Sequence, residues 1–184
     1  FDYFYGKRSN ILAPRNASIP DYTGLTLPDE NIAKVENKGF ELSLGHSNKI
    51  NEFSYQISGN YSFSRNKVLF IDEAPNPLEY QMRTGYSYGA GLYYLTDGIF
   101  ETQEEVDNYP TYVPSVRPGD IKFVDYNEDG EITGDDRVRL NRNTQIPEIM
   151  YGLNMNATYK GFDVSLLFQG AENIYKYLNL SDYG

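Results

Sequence analysis

The sequence predicts an all-β chain of antiparallel strands, and three observations carry that prediction. Apolar and polar residues alternate with period two over long stretches, 18 tyrosines and 10 phenylalanines occur with no tryptophan, and the polar partners in the alternation are small and mostly uncharged. A period of two sends successive side chains to opposite faces of a strand, and aromatic rings favour a pleated, half-buried surface. Faces of Ser, Asn, Gln, Gly and Thr suit the lumen of a transmembrane β-barrel; the exposed face of a soluble sandwich more often carries Lys, Glu and Thr. The barrel therefore fits better, and a two-sheet sandwich stays open as the alternative.

The elements follow in chain order. FDYFYGKR at the start is a weaker strand candidate because its alternation is short. GFELSLGHS sets Phe40, Leu42, Leu44 and His46 against Glu41, Ser43, Gly45 and Ser47. FSYQISGNYSFS continues with Phe53, Tyr55, Ile57, Gly59, Tyr61 and Phe63 against Ser54, Gln56, Ser58, Asn60, Ser62 and Ser64, and NKINE between the two runs makes a hairpin. A second pair comprises Ile149, Tyr151, Leu153, Met155, Ala157 and Tyr159, then Phe162, Val164, Leu166 and Phe168 beyond a tight turn at Lys160-Gly161. These runs of about 9 to 12 residues, with aromatics at their ends, match membrane-crossing strands.

Loop placement is consistent with this reading. With NKINE and YKGF as short turns on one edge, the stretches Ser9 to Lys38 and Arg65 to Pro147 both emerge on the other, where barrels carry long extracellular loops. A connection as long as 66–147 requires local structure of its own. TQEEVDNY supplies some: a short helix with Thr102 as N-cap and Glu105 at the capping-box position.

Within that loop, DYNEDGEITGDD, residues 125–136, has the spacing of a calcium loop. Asp125, Asn127 and Asp129 would offer side-chain oxygens, Glu131 its carbonyl, Thr133 its hydroxyl directly or through water, and Asp136 closes the twelfth position, with Gly130 at the sharp turn. Asp136 replaces the usual longer Glu, and neither flank reads as a helix, so a weak structural site is expected rather than a sensor.

Composition removes several function classes. A formal charge of −10, without clustered Lys and Arg, argues against a nucleic-acid partner. With no cysteine, disulfides, thiolate chemistry and cysteine-type zinc are excluded. No charged leader precedes an apolar stretch and no run of about eighteen apolar residues occurs, so neither signal peptide nor transmembrane helix is expected. The chain starts without methionine inside an aromatic alternation, and reads as a piece of something longer.

NKGFELSLGHSN, GNYSFSRNKV, GYSYGAGLYYLTDGIFETQEEV, PGDIKFVDYNEDGEITGDDR and PEIMYGLNMNATYKGFDVSLLFQG, in this order, resemble the C-terminal barrel half of SusC/RagA-type TonB-dependent outer-membrane transporters. The resemblance covers nearly the whole chain. It implies a plugged barrel of about 22 strands, of which this chain supplies about five. The plug and the TonB-contacting segment would lie upstream. It also implies a location in the outer membrane, in contact with lipid, and a SusD-like surface lipoprotein that closes over the extracellular face. The imported substrate would be an oligosaccharide or a peptide, driven by energy relayed through TonB. The alternative function is a soluble extracellular β-sandwich that binds carbohydrate and carries a structural calcium site.

Tyr86, Tyr88, Tyr93 and Tyr94 are candidates for a stacking platform under a sugar ring, although packing within their own loop explains tyrosines equally well. His46, on the apolar face near a turn, reads as an interfacial ring. No catalytic residue emerges: Glu104-Glu105 and Asp135-Asp136 are adjacent pairs that point apart, and no nucleophile-base pair stands out, since the single histidine is on the wrong face of a strand.

Overall fold

The computed structural model describes residues 1–15, 27–76, 78–141 and 146–175. Its strands are β1 (Asp2–Ala13), β2 (Glu30–Ile50), β3 (Phe53–Phe70), β4 (Leu92–Tyr94), β5 (Thr96–Ile99), β6 (Ile121–Phe123), β7 (Arg137–Arg139), β8 (Ile149–Tyr159) and β9 (Phe162–Glu172), with helix α1 (Gln103–Asn108) after β5. One antiparallel sheet runs β1-β2-β3-β8-β9, and two small pairs, β4-β7 and β5-β6, belong to the long excursion between β3 and β8.

Both tight turns are present and lie on one edge. Ile50 pairs with Phe53 across Asn51-Glu52, and Tyr159 with Phe162 across Lys160-Gly161. Positive φ at Asn51 (54°), Lys160 (48°) and Gly161 (84°) turns the chain within two residues, as a right-twisted hairpin requires. NKINE is therefore a two-residue turn flanked by strand, tighter than a five-residue connection.

Register aligns the apolar faces of neighbouring strands. Ile57 faces His46 and Met155, Met155 faces Leu166, and Phe63 faces Phe40 and Ile149. At one end of this face, Phe1, Phe40, Tyr61 and Phe63 form contacts with ring centroids 5.8–6.2 Å apart. At the other, Phe53 meets Tyr55 at 5.8 Å and Tyr159 at 6.5 Å, and His46 meets Tyr55 at 5.5 Å. Between these two girdles lie Leu44, Ile57, Leu153 and Leu166. The band is as tall as β8, 11 residues. At about 3.4 Å per residue and a tilt of about 45°, that gives about 26 Å, close to the apolar band of about 25 Å on a barrel wall.

The sandwich alternative requires a second sheet across this face. Among the described residues none covers it: Ile57 is 40 % exposed and Phe162 77 % exposed, and Leu44, Tyr159, Val164 and Phe168 are exposed as well. Such a surface is stable only against lipid or other apolar matter. The opposite face is mainly polar, interrupted by Leu167 and Met150, with Ser165 donating to Asn156 (2.7 Å) and Asn156 to Asn154 (3.3 Å) across and along the strands.

The strands at the loop edge are longer than their alternation implies. β2 has 21 residues and β3 18, so Glu30–Lys38 and Arg65–Phe70, expected as loop, continue the ladder. Part of the expected loop, residues 16–26, lies outside the described residues. The initial FDYFYGKR is likewise a full strand of 12 residues with a register shift near Asn10, whose φ is 56°. Above the apolar band both faces are wet, so charged residues interrupt the pattern while backbone pairing persists. A small core of Ala13, Ala33, Val68 and Ile71, with Ile11 and Ile32 packed against it, closes this extension.

Candidate functional site

The excursion after β3 builds the chain's chemically richest region. Its first part folds back on β3, where Gly85 donates to the Val68 carbonyl and Val68 to that of Tyr86, each at 2.8 Å. The Asn66 side chain accepts from the Tyr88 amide at 2.6 Å and the Ser87 hydroxyl at 3.1 Å, while Asn141 accepts from the Ser87 amide at 2.8 Å. The excursion returns to the sheet at Glu148, 5 % exposed, whose carboxylate takes a two-pronged contact from Arg65 at 2.7 and 2.8 Å. Its backbone carbonyl accepts from Ser64 at 2.8 Å. A buried carboxylate is stable where it is paired and hydrogen-bonded, and Glu148 is both.

Glu73 closes a smaller loop. Its two carboxylate oxygens accept from the amides of Arg83 and Thr84, each at 2.8 Å. Burial by itself would raise this carboxyl, but hydrogen bonds from the Thr84 side chain and from the two amides, with the charge of Arg83, outweigh it and hold the group below its ordinary 4.5. A carboxylate with a lower folded than unfolded value stabilises the fold above the unfolded value, and that contribution fades as pH falls through the folded one. Amide protection at Arg83 and Thr84, taken as exchange relative to the unstructured rate at each pH, is expected to fall as pH drops below 4.5, and Glu73→Gln to remove that dependence. Protection that is flat with pH in the parent protein would contradict this role.

The acidic loop lies against this segment. Asp125 accepts from the amides of Asp129 (3.2 Å) and Gly130 (2.8 Å), Asn127 from Asp129 (3.2 Å), and Asp129 from Glu131 (2.9 Å). Asn127 also donates to Asp129 at 2.8 Å. Asp136 is 0 % exposed and accepts from the amides of Thr133 (2.7 Å), Tyr126 (2.8 Å) and Asn127 (3.4 Å). Thr133 and Asp136 cap each other's backbone around a single 3-10 turn, Gly134–Asp136. Gly130 has φ 86°, as the sharp turn requires, and Ile132 is buried as the loop's anchor.

The spacing thus brings all six expected ligand residues into one loop, and backbone amides already bond to the side-chain oxygens of five of them, Asp125, Asn127, Asp129, Thr133 and Asp136. Among the described residues, no three acidic or histidine side chains are grouped so that they could hold a metal ion. The donor chemistry, oxygen only, fits calcium, whereas the arrangement of Asp136 serves the backbone.

What sequence spacing does not reveal is the loop's mooring. Gln81 donates to the carbonyls of Gly134 (2.9 Å), Asp135 (3.1 Å) and Arg137 (2.9 Å), and Tyr80 donates to that of Asp135 (2.8 Å) while meeting Tyr126 ring to ring at 4.7 Å. Arg139 reaches the carbonyls of Gln81 (2.9 Å), Met82 (2.8 Å) and Ala90 (2.5 Å). Burial first, then neighbouring Arg83, lowers its guanidinium below the ordinary arginine range. These partners are 46 to 58 residues away in sequence, so no local motif announces them.

The four candidate tyrosines do not form one platform. Tyr94 packs inside the loop against Phe123 (5.2 Å) and Tyr112 (5.4 Å), and Tyr93 meets Tyr175 at 6.0 Å. Tyr86 lines a recess with Tyr80 and Met82. Tyr88, 56 % exposed, borders a separate groove of about 600 Å³ with Arg8, Asn37, Ser64 and Asn66, where the polar face of β1–β3 meets the excursion. α1 forms as expected, with the Thr102 hydroxyl accepting from the Glu105 amide at 3.2 Å; Glu105, however, reaches back to the amide of Glu101 (2.8 Å) rather than to the cap itself.

Comparisons with known proteins settle the family. No protein-family model matches the chain. TonB-dependent receptor P3 of Formosa agariphila is 32 % identical over 184 residues, covering 93 % of this chain, and TonB-dependent receptor P26 of the same organism is 31 % identical over 182 residues, again 93 %. The chain belongs to the TonB-dependent receptors. It spans 18 % of the length of each of these curated relatives. Two solved structures share the fold: the RagAB peptide importer in its open-open state, with TM-score 0.55, 15 % identity and 94 % of this chain covered, and the RagAB peptide transporter, with TM-score 0.55, 18 % identity and 93 % covered. Each comparison takes in 18 % of the solved chain.

TonB-dependent receptors are outer-membrane proteins. On such a barrel the girdled face meets lipid, the polar face lines the lumen, tight turns are periplasmic and long loops extracellular. The groove beside Tyr88 then opens to the lumen at its extracellular mouth, and the acidic loop belongs to the extracellular excursion.

Proposed function

We propose that the chain forms barrel wall and extracellular loop of an outer-membrane transporter that imports oligosaccharides or peptides, together with a SusD-like surface lipoprotein and with energy supplied through TonB. The observation that supports this best is the exposed apolar band between two aromatic girdles, backed by a polar face that ends in the groove beside Tyr88. The names of the relatives agree with it, as does the fold shared with RagAB, a peptide importer. Of the four tyrosines, Tyr88 is the one this reading assigns to the substrate, because an amphipathic ring beside a polar groove suits a sugar or peptide backbone.

The test is uptake of labelled oligosaccharides and peptides by cells that carry the intact receptor, with and without TonB. Loss of uptake on TonB removal, with the receptor still in the outer membrane, is the expected result. Uptake that is indifferent to TonB, or a receptor found outside that membrane, would end the proposal.

We infer, further, that the acidic loop takes up a structural calcium ion with a dissociation constant of about 10⁻⁴ to 10⁻³ M. Asp125, Asn127 and Asp129 would hold it with the Glu131 carbonyl and Thr133; their amide bonds already impose the loop's curvature and leave lone pairs free. Asp136 would join only by giving up amide contacts, which is one reason for the weak affinity. The ion would supply charge neutralisation and rigidity. Calorimetry on the intact receptor should record calcium heat in the parent and none in Asp125→Ala with Asp129→Ala; a silent parent means a metal-free turn.

A further inference from the structure

We propose that the groove beside Tyr88 takes a uronate-bearing oligosaccharide, with Arg8 as the cation that receives the sugar carboxylate, an inference that rests on the import reading above and narrows its substrate. Antiparallel register puts the groove's polar lining on the lumen face. Residues paired across strands share a face, and the rows Phe4–Gly39–Ser64, Gly6–Asn37–Asn66 and Arg8–Val35–Val68 succeed one another on the face opposite Phe40 and Phe63. Gly6, Arg8, Asn37, Ser64 and Asn66 line the groove, and Tyr88 borders it from the excursion.

Hydrogen bonding within the lining leaves it rich in donors. The Asn66 side-chain oxygen accepts from the Tyr88 amide and the Ser87 hydroxyl, which uses both its lone pairs and fixes its orientation, because a backbone N–H can only donate. Asn37 accepts from the Ser64 hydroxyl at 3.1 Å. The NH2 group of each asparagine is left to donate. Glu148, the buried carboxylate of the lining, is committed to Arg65. Lys7 and Glu36 reach the rim from the opposite-facing row Lys7–Glu36–Lys67, and Glu36 accepts there from the Tyr5 hydroxyl at 3.5 Å. Arg8 is exposed and, among the described residues, forms no ion pair.

These groups select the ligand. A guanidinium presents a planar fork that matches the two oxygens of a carboxylate, and the asparagine NH2 groups suit ring and hydroxyl oxygens beside it. A peptide backbone brings an N–H with nearly every carbonyl, and with the side-chain amide oxygens of the groove already engaged, those N–H groups would lose water without replacement. Sugar hydroxyls accept as readily as they donate, and the Tyr88 ring offers the apolar face of a pyranose a surface. Gly6 keeps the groove open, since a Cβ there would meet no atom within 4 Å.

The experiment measures calorimetric binding to the intact receptor with its surface lipoprotein, each variant first checked for folding by heat-modifiable mobility. Oligomers of galacturonate, mannuronate and glucuronate are compared with their methyl esters, which keep the sugar and remove the charge, and with oligoglutamate. The acid form of at least one series is expected to bind about tenfold or more tighter than its ester, because hydrogen bonds between charged partners are the stronger ones. R8Q should abolish that difference, and G6L should weaken binding of the acid by filling the groove. K49Q, which removes the same charge at the turn edge, should behave as the parent. A preference for the acid that survives R8Q, acid and ester bound alike by the parent, or no oligouronate bound at all would each overturn the proposal. Oligoglutamate bound as tightly as the best oligouronate would overturn it too and assign the groove to acidic peptides. Import is read separately: uptake by parent cells that is indifferent to TonB refutes the import reading, whereas a parent that imports through TonB without any dependence on Arg8 refutes only the choice of substrate.

Discussion

Arginine at Ile57 is expected to prevent membrane assembly, while arginine at the adjacent Ser58 is tolerated. Ile57 sits midway between the two girdles, facing His46 and Met155, and is 40 % exposed on the lipid side. A charge at the bilayer midplane of a barrel wall costs about 2–4 kcal/mol, enough to remove much of a typical domain's stability margin. Ser58, one residue on, pairs with Gly45 and Asn154 on the polar face, where an Arg side chain meets water. Heat-modifiable electrophoretic mobility of the receptor from outer membranes reports assembly directly. Comparable yields of folded receptor for the two variants would remove the case for a lipid-facing surface. Ile57→Leu is the control, with assembly expected at parental level.

Asp136→Ala is expected to have the largest effect within the extracellular excursion. The side chain is completely buried and its two oxygens accept from three amides, including Thr133 at 2.7 Å and Tyr126 at 2.8 Å. Without it those donors stay buried and unsatisfied, at about 1–3 kcal/mol for each unsatisfied group, partly relieved where water enters. The loop should open around Tyr126 and Thr133, and the Tyr80–Tyr126 contact at 4.7 Å should loosen with it. Hydrogen exchange over residues 125–136 of the intact receptor should rise by at least an order of magnitude, a factor that corresponds to about 1.4 kcal/mol. Asp129→Ala is the contrast: Asp129 is exposed and accepts from one backbone amide, that of Glu131, and from the Asn127 side chain, so its loss should be mild without calcium. If the two variants exchange alike, Asp136 is not the loop's keystone.

Several local features could be read from residues alone. Alternation from Phe53 to Phe63 assigned each side chain its face, because successive Cβ positions on a strand point oppositely wherever the strand ends up. Lys160-Gly161 declared a tight turn, since two adjacent residues that tolerate positive φ allow the chain to reverse. Thr102 marked a helix start because its hydroxyl can reach an amide three residues on. All six members of the acidic loop could be named because they lie within twelve consecutive positions. Each of these depends on neighbours within a few residues, and local sequence encodes such relations directly.

Other features needed the assembled chain. The continuation of β2 through Glu30–Lys38 was hidden because charge in those residues follows water on both faces, while the ladder depends on backbone pairing with β1 and β3. The bond from Arg65 to Glu148 spans 83 residues and the mooring of the acidic loop by Gln81 more than fifty, separations at which no spacing rule operates. Tyr94 looked like a candidate for substrate and proved to be packing, since only the fold brings Tyr112 and Phe123 onto its ring. The girdles belong to the same class. Alternation determined which face each residue takes, but its height on the wall depends on register, and register is set by turn lengths and by pairing between strands distant in the chain.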